Sequence, residues 1–408
     1  MTRASTASSS APPVLGARAA YAPYAAFAAF GVFWGAWGAA LPTLRIRADV
    51  SEGQLGTALL FVGLGALPAM ALTGRAVDRF GLRVAAWLLA PLAGAGLLIA
   101  GTSDGMVLLV VGMLVVGAAS GAADVAINTL AGRAEHATAK PLLTRSHGLF
   151  SVGVVIASLS TGALLGAELS LLATFAVVTA VMLALTAAAH RTSASLQLPV
   201  HQTDPGARVG AGLLRRISPT SPLLVVVGLV AALAYAIENA HQSWGAVMLT
   251  DVLSASPQLA ATAPATFAAT AALARLGLAP LSRSHPTAML LGGGTLASAG
   301  SAVLATAPSV AVALAGLALA ALGTATLFPT LLSRSLHSTD PARHGRATST
   351  VATTAYLGFL LGPAYVGLLA ESSSLRGALV GVAALALVFT LAAAPVSAWA
   401  ATRAHTGR

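Results

Sequence analysis

Apolar residues run along this chain in long blocks separated by short polar ones, and twelve blocks approach or exceed the roughly 20 residues that a helix needs to cross a bilayer. The pattern predicts spans at 22–42, 54–73, 84–101, 106–130, 142–165, 170–188, 222–249, 257–274, 286–306, 309–332, 346–370 and 378–401. Only helices or a closed barrel satisfy the backbone within lipid, and blocks this long exclude barrel strands. The expectation is an all-α membrane protein with twelve transmembrane helices.

The longest polar interruption, residues 189–221, falls between the sixth and seventh blocks. It divides the chain into a six-helix bundle at 21–188, a cytoplasmic linker at 189–221 and a second six-helix bundle at 222–402. The Ser/Ala-rich residues 1–20 read as a disordered cytoplasmic tail rather than a cleaved signal peptide, because the block that follows is long enough to span. Local echoes hint at a repeat: GAASGAADVAINTL in the fourth block has a small-residue counterpart, LGTATLFPTL, in the tenth. HGLFSVGVVIASLSTG in the fifth is echoed by AYLGFLLGPAYVG in the eleventh. Parallel repeats of this kind are a transporter architecture, with the substrate site between the halves near the midplane.

Composition agrees with the pattern: 57% of residues are hydrophobic, 8% are charged, and the mean hydropathy is +0.84. The net charge of +10 raises the question of nucleic acid, which the placement of the basic residues answers. With the N-terminus in the cytoplasm, 19 of the 22 Lys and Arg fall on inside loops and tails, and only Arg45, Arg47 and Arg376 fall outside. The positive-inside rule is met with both termini cytoplasmic, so the basicity is topological. The expected partners are a small-molecule substrate, protons and membrane lipid, with no nucleic acid, and the expected state is a monomer in the plasma (inner) membrane. The chain has no cysteine, which removes disulfides and thiolate metal sites.

Of the twelve acids, ten lie in loops or at helix ends, leaving Asp124 and Glu238 well inside blocks. An acid at a helix centre costs about 2.5 to 3.5 kcal/mol on insertion scales, so it needs a partner, a cavity or a proton. Gly117, Gly121, Asp124 and Asn128 share one helix face, where the glycines let another backbone come close. The alternatives for Asp124 are a proton site and a buried acid hydrogen-bonded for packing. His147 lies at matching depth, roughly 9 Å from the cytoplasmic end at 1.5 Å per residue. It either shares a proton with Asp124 or sits with Arg145 among the headgroups.

In the seventh block, AIENAHQSWG places Glu238, His241 and Gln242 at i, i+3 and i+4, one polar face that has to meet water, substrate or another helix. Asn239 stands beside it. Trp244 near the helix end reads as an interface anchor, with stacking on a ligand the alternative. No second pair of ligands accompanies His241 and Glu238, so no metal is expected. Thr348, Ser349, Thr350, Thr353, Thr354 and Tyr356 give the eleventh block an uncharged polar stripe, whose hydroxyls line a cavity or bond between helices. No set of nucleophile, base and orienting group is visible, so an enzyme is not expected.

Between the second and third blocks the chain reads GRAVDRFGLR. This stretch resembles the loop signature of the major facilitator superfamily, G-x-x-x-D-R-x-G-x-R, matched by Gly74, Asp78, Arg79, Gly81 and Arg83. A degenerate second copy, ARLGLAPLSRSHP at 274–286, keeps Arg275 and Arg283 without the Asp. Further stretches resemble the fucose-permease-like branch, and closely the YbjJ-like group of bacterial inner-membrane proteins: DVAIN, SHGLFSVG, WGAVMLTD and VATTAYLGFLLGP. The resemblance implies two pseudo-symmetric six-helix bundles, a gating role for the loop motif, and an acid at Asp124 that binds proton and substrate with Asn128 four residues on. The chain departs from that pattern in its first helix, which has no acid, so Glu238 is the candidate second acid. The superfamily's antiporter signature is not matched in the fifth block.

These readings combine into one expectation, a proton-coupled symporter of a small polar, sugar-like metabolite working by alternating access. Asp124 and Glu238 would couple protons; Asn128, His147, Asn239, His241 and Gln242 would bind cargo. The proton gradient would be the sole energy source, with no cofactor. The alternative is a proton antiporter exporting a drug or natural product.

Overall fold

The computed structural model describes residues 21–406 except 81, 139, 194–221, 338 and 340–343, and leaves aside the side chains of 78–84, 337, 344–346 and 397–406. Residues 1–20, most of the linker, and the side chains of Asp78, Arg79 and Arg83, with Gly81, therefore lie outside the described residues.

Among the described residues there is no strand, and twelve helices are long and apolar enough to cross a membrane. The first six are α1 (Tyr21–Ala48), α2 (Glu52–Val77), α3 (Ala85–Thr102), α4 (Met106–Thr138), α5 (Leu142–Gly166) and α6 (Leu171–Ser193). The last six are α7 (Pro222–Val252), α8 (Pro257–Ser284), α9 (Pro286–Thr306), α10 (Val310–Leu336), α11 (Ala347–Ser372) and α12 (Leu375–Val396). Twelve spans are thus found where the hydropathy pattern places them, with several helices running further than predicted. The clearest excess is in α8: it continues to Ser284, so most of the stretch read as a second loop copy is helical and Arg275 lies inside a span.

The pairing of helices repeats with an offset of six. α1 packs on α5 as α7 packs on α11; α2 packs on α4 as α8 on α10; α3 packs on α6 as α9 on α12. Contacts between the first six and last six follow the same relation, α2 on α11 and α5 on α8. α1 is the most enclosed, 72% of its apolar window being buried against 33% for α6, which places α1 centrally and α6 at the rim.

Small residues set these distances, because without a hydrophobic drive between helices in lipid the backbones have to come close to gain dispersion. Gly117 and Gly121 of α4 lie against the backbone of Val62 and Ala66 in α2. At Gly56, where α2 meets α11, a Cβ would stand 2.7 Å from the Cα of Gly367. Prolines within helices free carbonyls four residues earlier. Two of these are claimed by polar side chains from neighbouring helices: Phe359 O, freed by Pro363, accepts from Asn239 Nδ2 at 2.7 Å. Ala325 O, which faces Pro329 in the turn that interrupts α10, accepts from Arg275 Nε at 3.2 Å.

Candidate transport cavity and its far-face seal

Because the helices alternate in direction, the end of α6 and the start of α7 share one face, here the linker face. On the opposite face the two sets of helices are joined. Arg45 at the end of α1 pairs with Asp251 in the π-helical last turn of α7 at 2.8 Å, with Glu52 at 3.9 Å. The Gly53 amide donates to Glu371 at 3.0 Å, Gly56 touches Gly367, and Gly162 and Gly166 of α5 close on Gln258 of α8. These contacts form a seal, and a cavity of about 280 Å³ lies on its linker side.

The three arginines that the charge count places outside all have structural tasks. Arg45 belongs to the seal. Arg47 donates to the carbonyls of Ala100 and Gly101 at the end of α3 and pairs with Asp104. Arg376 does the equivalent for Ala305 and Ala307 at the end of α9. Guanidinium at a helix C-terminus meets unpaired carbonyls and the negative end of the dipole.

α1 contributes an aromatic wall, Phe30, Trp34 and Trp37, spaced four and three apart and so on one face. Phe150 of α5 and Phe267 of α8 continue it, and Tyr356 and Phe359 of α11 complete it. Polar groups break this surface at a few points. Asp124 lies in the lining, its Oδ1 accepting from Asn128 Nδ2 at 3.0 Å. Among the described residues no cationic side chain pairs with it. Asn128 also donates to the Asp124 carbonyl at 2.9 Å and is not part of the lining, so it orients the acid rather than facing the cavity.

Glu238 and Gln242 also line the cavity, Gln242 Nε2 donating to Glu238 Oε1 at 3.2 Å. Arg275 from α8 donates to the same oxygen at 2.8 Å. The polar face read in the seventh block divides at this point. His241, i+3 from Glu238, lies about 100° around the helix from Gln242. It is 1% exposed, stacked on Phe267 and bonded at its two ring nitrogens to Ile237 O and Ser301 Oγ. The cargo contact expected of His241 is therefore replaced by a bond to α9.

Asn239 borders the cavity, but its amide is committed to Phe359 O. Trp244, expected at an interface, is fully buried and donates to Pro363 O at 3.1 Å, joining α7 to α11. His147 is exposed, packs edge-on against Phe27 with centroids 4.8 Å apart, and is outside the lining. Matching depth did not bring it to Asp124, because its position on α5 turns it toward α1. Of the loop motif, Gly74 ends up within α2, with nothing near where a Cβ would be. In the eleventh block's stripe, Tyr356 reaches the lining while Thr354 bonds back to Thr350 O.

Residues that sequence reasoning missed are Arg275, the Arg45–Asp251 pair and the aromatic face of α1. The spacing of Phe30, Trp34 and Trp37 is visible in FGVFWGAW, but with no acid in that helix nothing marks the face as part of a site.

Twelve membrane-length helices, paired with a six-helix offset around a polar-spotted cavity sealed at one face, define an integral multi-pass membrane transporter. The model of the Major Facilitator Superfamily matches residues 224–405. The chain is 30% identical over 343 residues to the uncharacterised transporter y4wD of Sinorhizobium fredii, covering 82% of this chain and 87% of that one. It is 28% identical over 368 residues to an uncharacterised MFS-type transporter of Yersinia pestis, covering 88% and 90%. Among solved structures, the nucleoside transporter NupG superposes with a TM-score of 0.73 at 16% identity, covering 93% of this chain and 99% of that one. A bacterial homologue of the lysosomal transporter Spinster, inward-facing and unoccupied, gives 0.74 at 16% identity, covering 95% and 98%. The chain belongs to the major facilitator superfamily and is a transporter rather than an enzyme.

Proposed function

We propose that this protein is a proton-coupled secondary transporter that moves a small polar, sugar-like metabolite across the plasma membrane by alternating access. Both termini are in the cytoplasm in this reading, supported by 18 of the 22 basic residues on that side, Arg275 lying within α8. The linker face is then cytoplasmic, and the arrangement with Arg45, Asp251 and Glu371 closed is the inward-facing state.

The observation that carries the reading is Asp124, an acid in the cavity wall whose side chain is held by an amide and, among the described residues, by no cation. A carboxylate so placed accepts a proton in one state and releases it in another, linking cargo movement to the gradient. Glu238 is the second acid of the lining, already matched by Arg275. The loop motif Gly74, Asp78, Arg79, Gly81 and Arg83 biases the conformational equilibrium from the cytoplasmic side. The protein works as a monomer with the proton gradient as its energy source.

The test is transport by the purified protein in oriented liposomes under an imposed inward proton gradient, screening sugars, polyols, nucleosides and organic acids for cargo-dependent lumenal acidification. Acidification with one class supports the reading; counterflow in the opposite sense identifies the alternative, a proton antiporter exporting a drug or natural product. The aromatic wall of α1 and α11 favours that second reading to the extent that the cargo is apolar.

A further inference from the structure

Arg275 is the one cationic side chain in the cavity lining among the described residues, and it is held in an unusual way. Its Nε is fixed to Ala325 O and its Nη2 to Glu238 Oε1, so the plane of the guanidinium is set by two helices other than its own. Ala325 O is available for this because Pro329 offers no amide to it. Nη1 makes no hydrogen bond to the described residues, and the side chain is 46% exposed although it lies within a span. A guanidinium that is pre-oriented, always charged and open along one edge is suited to two parallel bonds to a carboxylate.

We infer that Arg275 is the specificity-determining residue of the cavity and that the cargo is an organic anion, a carboxylate carried on a flat body that lies against the aromatic wall. The inference rests on the transporter reading and replaces its sugar-like cargo with an acidic one. The cargo carboxylate takes the Nη1 edge and competes with Glu238 for Nη2, while Arg275 keeps Ala325 O. Glu238 retains Gln242 when the carboxylate of the cargo displaces it. Trp34, Phe150 and Phe359 supply the apolar contact, and their faces accept any flat body of suitable size.

The test uses matched pairs in which a carboxylate is replaced by its neutral amide: gluconate with gluconamide, nicotinate with nicotinamide, and indole-3-acetate with indole-3-acetamide. Binding to the full-length protein in nanodiscs is measured by calorimetry and by thermal shift, for wild type, Arg275→Gln, Arg275→Lys and Glu238→Gln. The expected result is that at least one acid binds more tightly than its amide, and that Arg275→Gln removes this preference with a loss of about 10- to 100-fold for the acid alone. Arg275→Lys keeps the charge without the planar fork and retains part of the preference. Glu238→Gln keeps an oxygen that accepts from Nη2 but removes the competing charge, so acid binding tightens several-fold, and adding Arg275→Gln to that variant abolishes the acid preference, which a purely structural Arg275 would leave in place.

Equal binding of acid and amide in every pair, an acid preference that survives Arg275→Gln, or no binding by any pair to folded wild type overturns the inference. The transporter reading is tested separately: if a neutral compound is accumulated in an Asp124-dependent way while Arg275 variants leave acid preference unchanged, that reading stands and the inference falls, whereas accumulation of no compound by folded, oriented protein counts against the transporter reading itself.

Discussion

The Arg45–Asp251 pair makes a quantitative prediction about the conformational equilibrium. Its charged atoms are 2.8 Å apart, and the two side chains are 19% and 14% exposed. At an effective dielectric constant of about 20, two unit charges at that separation attract by roughly 6 kcal/mol before desolvation is counted. Much of that is offset by the cost of removing both groups from water. A net contribution of about 1 to 3 kcal/mol, between that of an exposed ion pair and the cost of breaking a fully buried one, is the appropriate scale. The pair bridges α1 and α7, so it exists only while the far face is closed, and its whole net contribution favours the closed arrangement. Asp251→Asn leaves Arg45 with Glu52 at 3.9 Å and the Val50 carbonyl at 3.1 Å, which softens the loss. The expected outcome is a shift of about 10- to 100-fold toward far-face opening. The chain has no cysteine, so spin labels at Ser170→Cys and Ser373→Cys, exposed on that face in the two sets of helices, report the distance without background. Double electron–electron resonance on Asp251→Asn should show a longer-distance population that is minor in the parent. The double exchange Arg45→Asp with Asp251→Arg should reduce it again. An unchanged distance distribution in folded Asp251→Asn would refute the assignment of this pair as a latch.

Other predictions follow from single contacts. Gly56→Leu places a side chain against the Gly367 backbone, where a Cβ alone would lie 2.7 Å from Cα, so it should hold the far face apart and abolish transport while the protein still inserts, as read by the same spin-label pair. Trp244→Phe removes the second donor to Pro363 O and the bond joining α7 to α11, and should lower Tm by a few degrees, corresponding to about 0.5 to 1.5 kcal/mol for one hydrogen bond lost. His241→Ala should likewise destabilise by about 1 to 3 kcal/mol while cargo Kd changes less than two-fold, because His241 is buried against Ser301 and away from the lining; thermal unfolding and calorimetry separate the two effects.

The fold was legible because bilayer thickness and backbone satisfaction leave a long apolar run few options, and the same physics predicted all twelve spans. Boundaries were less legible. Hydropathy falls near residue 274, yet α8 continues to Ser284, because a helix whose polar residues face a cavity need not stop where its average apolarity does. That is why Arg275 was read as part of a loop. Asp124, Glu238 and Gln242 could be found from sequence since charge or amide within a span demands a polar surrounding, and all three line the cavity. His241 shows the limit of that argument: a bond to Ser301 on a helix sixty residues away satisfies it as well as a cavity would. His147 shows another, since equal depth on two helices says nothing about which way each side chain turns. The Arg45–Asp251 latch joins positions about two hundred residues apart, and only the packing of α1 against α7 brings them together.

The central claim is that Asp124 couples cargo to protons, and the most direct measurement compares two modes of transport in Asp124→Asn liposomes using the compound that responds in the parent. Accumulation driven by an inward proton gradient should vanish, while cargo exchange across the membrane without a gradient should persist, because exchange needs the cavity and the moving helices but no net proton transfer. Gradient-driven accumulation at the parental level in Asp124→Asn would contradict the account.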